Sequence, residues 1–218
     1  MRKRLVIALS LLIALSTISS KQDFKISKFN LKKIIVENNL LLKDKDIKNL
    51  VAPIYNKNIL FLESNEIKNA LMQNSFIEGF NIKKKYPNTL KIKIFEKKPI
   101  AVLYNKKKKF YLSEKLDLIE FKNLKNYQNL PHIFGNKENF KIFYNDLKKI
   151  NFPLDIIEKY TLYEVDRWDL EIKNNKVIKL PSENYTKSLK SFLELKNKNS
   201  FKKYELFDFR IKNQLILK

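Results

Sequence analysis

Apolar and polar residues alternate most cleanly in residues 84–101, KKYPNTLKIKIFEKKPIA. Leu90, Ile92 and Ile94 alternate with Lys91 and Lys93, the period of two of a strand with one face on a core and the other in water. Pro87 and Asn88 suit the second and third positions of a tight turn, which predicts an antiparallel hairpin of 77–86 with 89–95. Glu96, two lysines and Pro99 close the strand, and Pro99 suits an edge or a domain boundary because it cannot donate to a sheet ladder. Upstream, 24–36 alternates as a strand does. Asp44 is a candidate N-cap for a helix with Ile47, Leu50 and Val51 inward, ending near Pro53; Ser64 is a candidate cap for a second, with Ile67, Ala70 and Leu71 inward. The order is β-α-α-β-β, enough for two helices to cover one face of a three-stranded sheet.

After Pro99 the pattern changes to short strands with two helices. Phe140, Phe143, Tyr144, Leu147 and Ile150 recur at helical spacing; Tyr185, Leu189, Phe192 and Leu193 do so after a possible cap at Ser182. Trp168, Leu170 and Ile172 alternate with Asp169, Glu171 and Lys173, turn at Asn174-Asn175 and return through 177–180. The chain closes with a strand at 206–211, a turn at Lys212-Asn213 and a last strand, 214–217. Trp168 is expected in the second core. The fold class is therefore α+β, with a β-rich second domain that carries two helices.

The N-terminus reads differently. Arg2-Lys3-Arg4 precedes an apolar run at 5–18, about 21 Å long as a helix against the roughly 30 Å hydrocarbon core of a bilayer. The run must engage a membrane. Ala14-Leu15-Ser16 favours a cleaved signal, whereas extension through Ser19 and Ser20 with snorkelling basic flanks favours an anchor.

The net charge of +22 at once suggests a polyanion, but only Arg2, Arg4, Arg167 and Arg210 are arginines. The lysines accompany abundant Asn, Ile, Phe and Tyr, the mixture an AT-rich genome favours, and along the sequence they are spread through every element without forming one stripe. The tight run 106–109 is expected in a solvated hairpin loop. With no Cys there is neither a disulfide nor a thiolate site, and His132 alone cannot build a multi-histidine centre. Gly79 and Gly135 are the only glycines, which excludes a Gly-rich phosphate loop. Glu164 and Asp166 are expected to share a strand face and to pair with Arg167 or lysines. Asp208 and Arg210 are expected to form an in-plane pair between neighbouring strands. No catalytic, cofactor or metal residue is expected, and the chain reads as no enzyme, with no nucleic-acid or small-molecule partner.

Lys84, Pro87, Thr89, Leu90, Ile92, Glu96, Pro99 and Ala101 together resemble the signature of the FtsQ/DivIB family of bacterial cell-division proteins. Three later segments fit the same order: LPHIFG at 130–135, RWDLEI at 167–172 and FDFR at 207–210. The chain departs from the family at Leu116, in a turn that often carries Asp and Gly, and at Asn175, where Asn-Gly is common. The resemblance implies a cytoplasmic tail at 1–4, an uncleaved transmembrane signal anchor at 5–20, a POTRA domain at 23–97 and a partner-binding β domain at 98–218. It implies a type II single-pass protein of the inner membrane, its bulk in the periplasm and concentrated at the septum. It also implies a divisome scaffold linking early and late division proteins and binding an FtsB/FtsL-type complex. A last strand has an outer edge to offer, and the family's receptor strand for FtsB matches Gln214, Leu215, Ile216 and Leu217, with the helix around 185–195 as the next candidate. The alternatives are a POTRA-containing secretion or outer-membrane assembly factor and a secreted basic nucleic-acid-binding protein.

Overall fold

The computed structural model describes residues 2–16, 26–106, 108–196 and 198–218. Its contacts divide the chain into two compact units, Met1–Glu96 and Lys97–Lys218.

In the first unit the elements follow the predicted order: β1 (Lys33–Glu37), α2 (Asp44–Leu50), α3 (Ser64–Leu71), β2 (Ile77–Lys85) and β3 (Thr89–Glu96), preceded by a helix α1 (Arg2–Ser16). β3 lies in the middle, antiparallel to β2 and parallel to β1. The parallel pairing needs a crossover, which α2 and α3 supply. Ile34, Val36, Leu90, Ile92 and Ile94 face the helices and are buried with Ile47, Val51, Ile67 and Leu71. The hairpin turn, whose Tyr86-Pro87 peptide is cis, also ties in β1, because the Asn88 carbonyl accepts from the Lys32 and Lys33 amides at 2.9 and 3.2 Å.

Glu96 explains its place in the motif. Its carboxylate accepts the amides of Leu40, Leu41 and Leu42 at 3.0, 2.7 and 2.8 Å, and so holds the connection between β1 and α2. Three boundaries differ from expectation. Residues 26–29 form a 3₁₀ turn, so the first strand begins only at Lys33, while 24 and 25 lie outside the described residues. Asp44 and Ser64 are the first residues of their helices, and Lys43 and Glu63 hold the cap positions. Asp44 still complements the N-terminal dipole of α2, and its carboxylate accepts from Asn39 Nδ2 at 2.8 Å.

The second unit is one mixed sheet, built from β4 (Pro99–Asn105), β5 (Lys108–Ser113), β6 (Leu118–Glu120), β7 (His132–Phe134), β8 (Ile157–Tyr163), β9 (Arg167–Ile172), β10 (Lys176–Lys179), β11 (Leu206–Asp208) and β12 (Ile216–Leu217). Its order is β12-β11-β10-β9-β8-β7-β4-β5-β6. Helices α4 (Lys137–Lys149) and α5 (Tyr185–Lys196) contribute Phe140, Phe143, Leu147, Leu189 and Phe192 to the core. Trp168 is in that core as expected, stacked on Phe143 at 4.9 Å between centroids. Gly135 permits a close approach, since a Cβ there would stand 2.9 Å from Leu162 Cβ.

Turn residues take the left-handed conformation without glycine. Asn174 and Asn175 have φ of 66° and 57°, the pair of positive values a two-residue hairpin loop requires, and Leu116 sits at 61° while its side chain is buried. Helix α5 begins at Tyr185, three residues beyond Ser182. Tyr185 Oη donates to Asp146 Oδ2 at 2.6 Å and ties α5 to α4; burial and this acceptor raise the phenol's pKa, while Lys149 and Tyr185 lower that of Asp146. Of the lysine run, Lys106 is in the hairpin loop, whereas Lys108 and Lys109 belong to β5, with the Lys109 ammonium over the Tyr104 ring; Lys107 lies outside the described residues.

Candidate partner-binding edge

β12 is an outer strand of the second sheet, paired on one side with β11, Phe207 opposite Leu217 and Asp208 opposite Ile216. Its register decides which backbone groups are free. Leu206 and Lys218 exchange both amide–carbonyl bonds, at 3.0 and 3.2 Å, and antiparallel ladders alternate bonded and non-bonded pairs. Ile216 therefore points its N–H and C=O inward to Asp208, and Leu215 and Leu217 point theirs away from the sheet. Side chains follow the opposite logic: Leu215 and Leu217 pack on the core, while Ile216 is 38% exposed on the other face.

Of the four residues expected to form this strand, Ile216 and Leu217 do. Gln214 belongs to the turn, its amide donating to the Ile211 carbonyl at 3.1 Å, and Leu215 joins turn to strand. The expected strand at 206–211 is likewise only Leu206–Asp208. Beyond it the chain bends, and Asp208 holds the bend by accepting Arg210 N, Nε and Nη2 at 3.1, 2.9 and 2.6 Å. Arg210 lowers the pKa of the buried Asp208 carboxyl. The pair thus lies within one segment and does not bridge strands as expected. Glu164 and Asp166 also depart from expectation: they form the turn between β8 and β9, where Asp166 has φ of 52° and accepts from Asn139 Nδ2 at 3.0 Å. His132 is half-buried against the Tyr104 ring, at 5.4 Å.

The bend and α5 together form a feature the sequence did not announce. A cleft of about 690 Å³ runs between the outer side of α5, with Lys187, Ser188 and Ser191, and the segment from Phe209 to Leu215. Phe192 fixes the helix there, packing edge-on against Phe207 at 5.0 Å. Leu215 lines the cleft and carries one of the two outward backbone faces. A strand added alongside β12 would gain main-chain hydrogen bonds from Leu215 and Leu217 and would send alternate side chains toward the cleft. The other outer strand, β6, has three residues.

Among the described residues no cluster of His, Cys, Asp and Glu fits a metal ion. Among them, too, no helix is long and apolar enough to cross a membrane; α1 ends at Ser16, and 17–20 of the expected anchor lie outside the described residues.

The family model of the FtsQ-type POTRA domain matches residues 29–97. Over 190 residues, 85% of this chain and 71% of the relative, the chain is 28% identical to the cell division protein FtsQ of Rickettsia bellii, and equally so to that of Rickettsia conorii. It is 37% identical over 90 residues to the cell division protein DivIB of Clostridium tetani, covering 41% of this chain and 33% of that one. With an FtsQ-type POTRA domain in its first unit, the chain resembles, along most of its length, cell division proteins of the FtsQ/DivIB family, which is not a family of enzymes.

Proposed function

We propose that this protein is a bitopic inner-membrane scaffold of the divisome, linking early and late division proteins by receiving a strand of an FtsB/FtsL-type partner on β12. The observation that carries the reading is the outward pair of backbone faces at Leu215 and Leu217 beside the cleft under α5. Added strand pairing supplies affinity and the cleft supplies selectivity, so no catalytic group is needed.

The domain plan is a tail at 1–4, an anchor at 5–20, the POTRA domain at 23–97 and the partner-binding domain at 98–218. Helix α1 supports the anchor: Leu5, Val6, Leu9 and Leu12 are all more than half exposed, apolar on every side as a lipid-facing helix is, and the basic start favours a cytoplasmic N-terminus. A fluorescent fusion in dividing cells tests the function. Recruitment to midcell is the expected result, and an even envelope distribution in constricting cells would overturn it. Mass analysis of the mature protein tests the anchor, which a mature N-terminus at Thr17 would exclude.

A further inference from the structure

Strand order in the first unit gathers lysines that the sequence disperses. The face of the sheet turned away from α2 and α3 carries Lys33, Ile35 and Glu37 of β1, Thr89, Lys91, Lys93 and Phe95 of β3, and Gly79, Asn81, Lys83 and Lys85 of β2. The register sets them in rows. Lys33 and Lys85 flank Thr89, Lys83 lies directly opposite Lys91, and Lys93 lies between Asn81 and Glu37. At strand spacings these five lysines occupy an area of about 10 by 14 Å. Among the residues of these rows Glu37 is the one carboxylate, and exposed Glu78 stands at the bulge before Gly79; Lys91 Nζ meets Glu37 at 2.5 Å, and Lys91, with Lys85 and Lys93, lowers its pKa. Lys33, Lys83, Lys85 and Lys93 have no ion-pair partner among the described residues. A like-charged pair directly across a ladder, as at Lys83 and Lys91, opposes pairing; Glu37 offsets it only at Lys91, so the remaining lysines leave positive charge that an external anion would balance.

We infer that this face is a docking surface for an anionic phospholipid bilayer. The lysines form a two-dimensional array over three strands, matching a layer of headgroups better than the linear track of a nucleic acid, and the face has no arginine to fork onto phosphates. Phe95, 39% exposed, stands at one end of the face, and Tyr86, in the turn beside Lys85, is exposed at the other, so an aromatic ring for the interfacial zone flanks the charges at each end. The same chain brings its own membrane affinity in α1. The inference rests on the anchor reading only for proximity to the bilayer.

The absence of cysteine makes the test direct. Full-length protein carrying Asn81→Cys, labelled with an environment-sensitive dye, is reconstituted into vesicles of neutral phosphatidylcholine or of phosphatidylcholine with phosphatidylglycerol, each containing a headgroup quencher. Lys68→Cys, on the exposed side of α3, is the control position. Co-flotation with neutral vesicles reports the anchor independently. The expected result is quenching at position 81 that rises with anionic lipid, falls with salt and is absent at position 68. Each basic residue near such a surface contributes about fivefold, so the double variant K83Q/K93Q lowers the docking equilibrium about 25-fold while leaving flotation intact. Equal quenching in neutral and anionic vesicles, or no loss in the double variant, overturns the inference. A response to soluble heparin or oligonucleotide without a response to anionic vesicles also overturns it and identifies a soluble polyanion as the partner.

Discussion

Removing the Glu96 carboxylate is expected to loosen the first unit at one defined place, the connection between β1 and α2. The carboxylate accepts three consecutive amides, Leu40, Leu41 and Leu42, at 2.7 to 3.0 Å. A hydrogen bond to a charged group contributes about 1.5 to 3 kcal/mol, but Leu40 is 88% exposed and water replaces its lost acceptor readily. The Leu42 side chain is buried, so its neighbourhood admits water less easily. We therefore expect E96A to cost about 2 to 3 kcal/mol, and E96Q about half as much, since the amide retains one carbonyl oxygen but turns an N–H donor toward other donors. Urea unfolding followed by circular dichroism gives the magnitude. Amide hydrogen exchange gives the place, with protection lost first at 40–42. If E96A shifts stability by less than about 0.5 kcal/mol, or if exchange at 40–42 is unchanged, the carboxylate is not what holds the connection.

Two further predictions concern the second unit. L116G relieves a left-handed leucine, worth about 1 kcal/mol, but empties a buried site worth about 2 to 4 kcal/mol, so it is expected to destabilise by about 1 to 3 kcal/mol in thermal or urea unfolding; a stabilised variant would show the leucine side chain to be dispensable. Because Arg210 depresses the native pKa of Asp208, the ionised carboxylate contributes stability above its unfolded pKa of about 3.9, and that contribution fades as pH falls through the native value. D208N should thus be less stable than wild type at pH 7, with the difference closing in strong acid; a difference constant with pH would place the effect elsewhere.

The sequence made the amphipathic helices, the hairpin of β2 and β3 and the hairpin of β9 and β10 legible because each announces itself through its own period, whereas β6, β7 and β8 were not singled out. Leu90, Ile92 and Ile94, or Phe140, Phe143 and Leu147, need no knowledge of neighbours to be assigned inward. Features made between elements were not legible. The lysine face exists only because β3 sits between β1 and β2, bringing Lys33, Lys91 and Lys83 onto neighbouring strands of one face. The cleft depends on where α5 packs and on the bend after Asp208. Position at the sheet edge was foreseeable for the last strand, but its register was not, since the direction of each amide depends on Leu206 pairing with Lys218. Leu116 and Asn175 show the converse: a glycine-like turn position was visible through a departure, and the left-handed backbone persists with the larger residue in place.

The central claim, that β12 receives a partner strand through its outward backbone faces, is tested most directly by removing one outward N–H. L217P removes that donor and places its ring on the outer edge, whereas L217A trims the side chain and keeps the donor. Full-length protein in detergent is titrated with a soluble FtsL–FtsB-type complex, with circular dichroism confirming that each variant is folded. One main-chain hydrogen bond together with the obstruction at the edge predicts binding at least tenfold weaker for L217P and less than threefold weaker for L217A. Equal binding by the two folded variants would contradict the edge-pairing account.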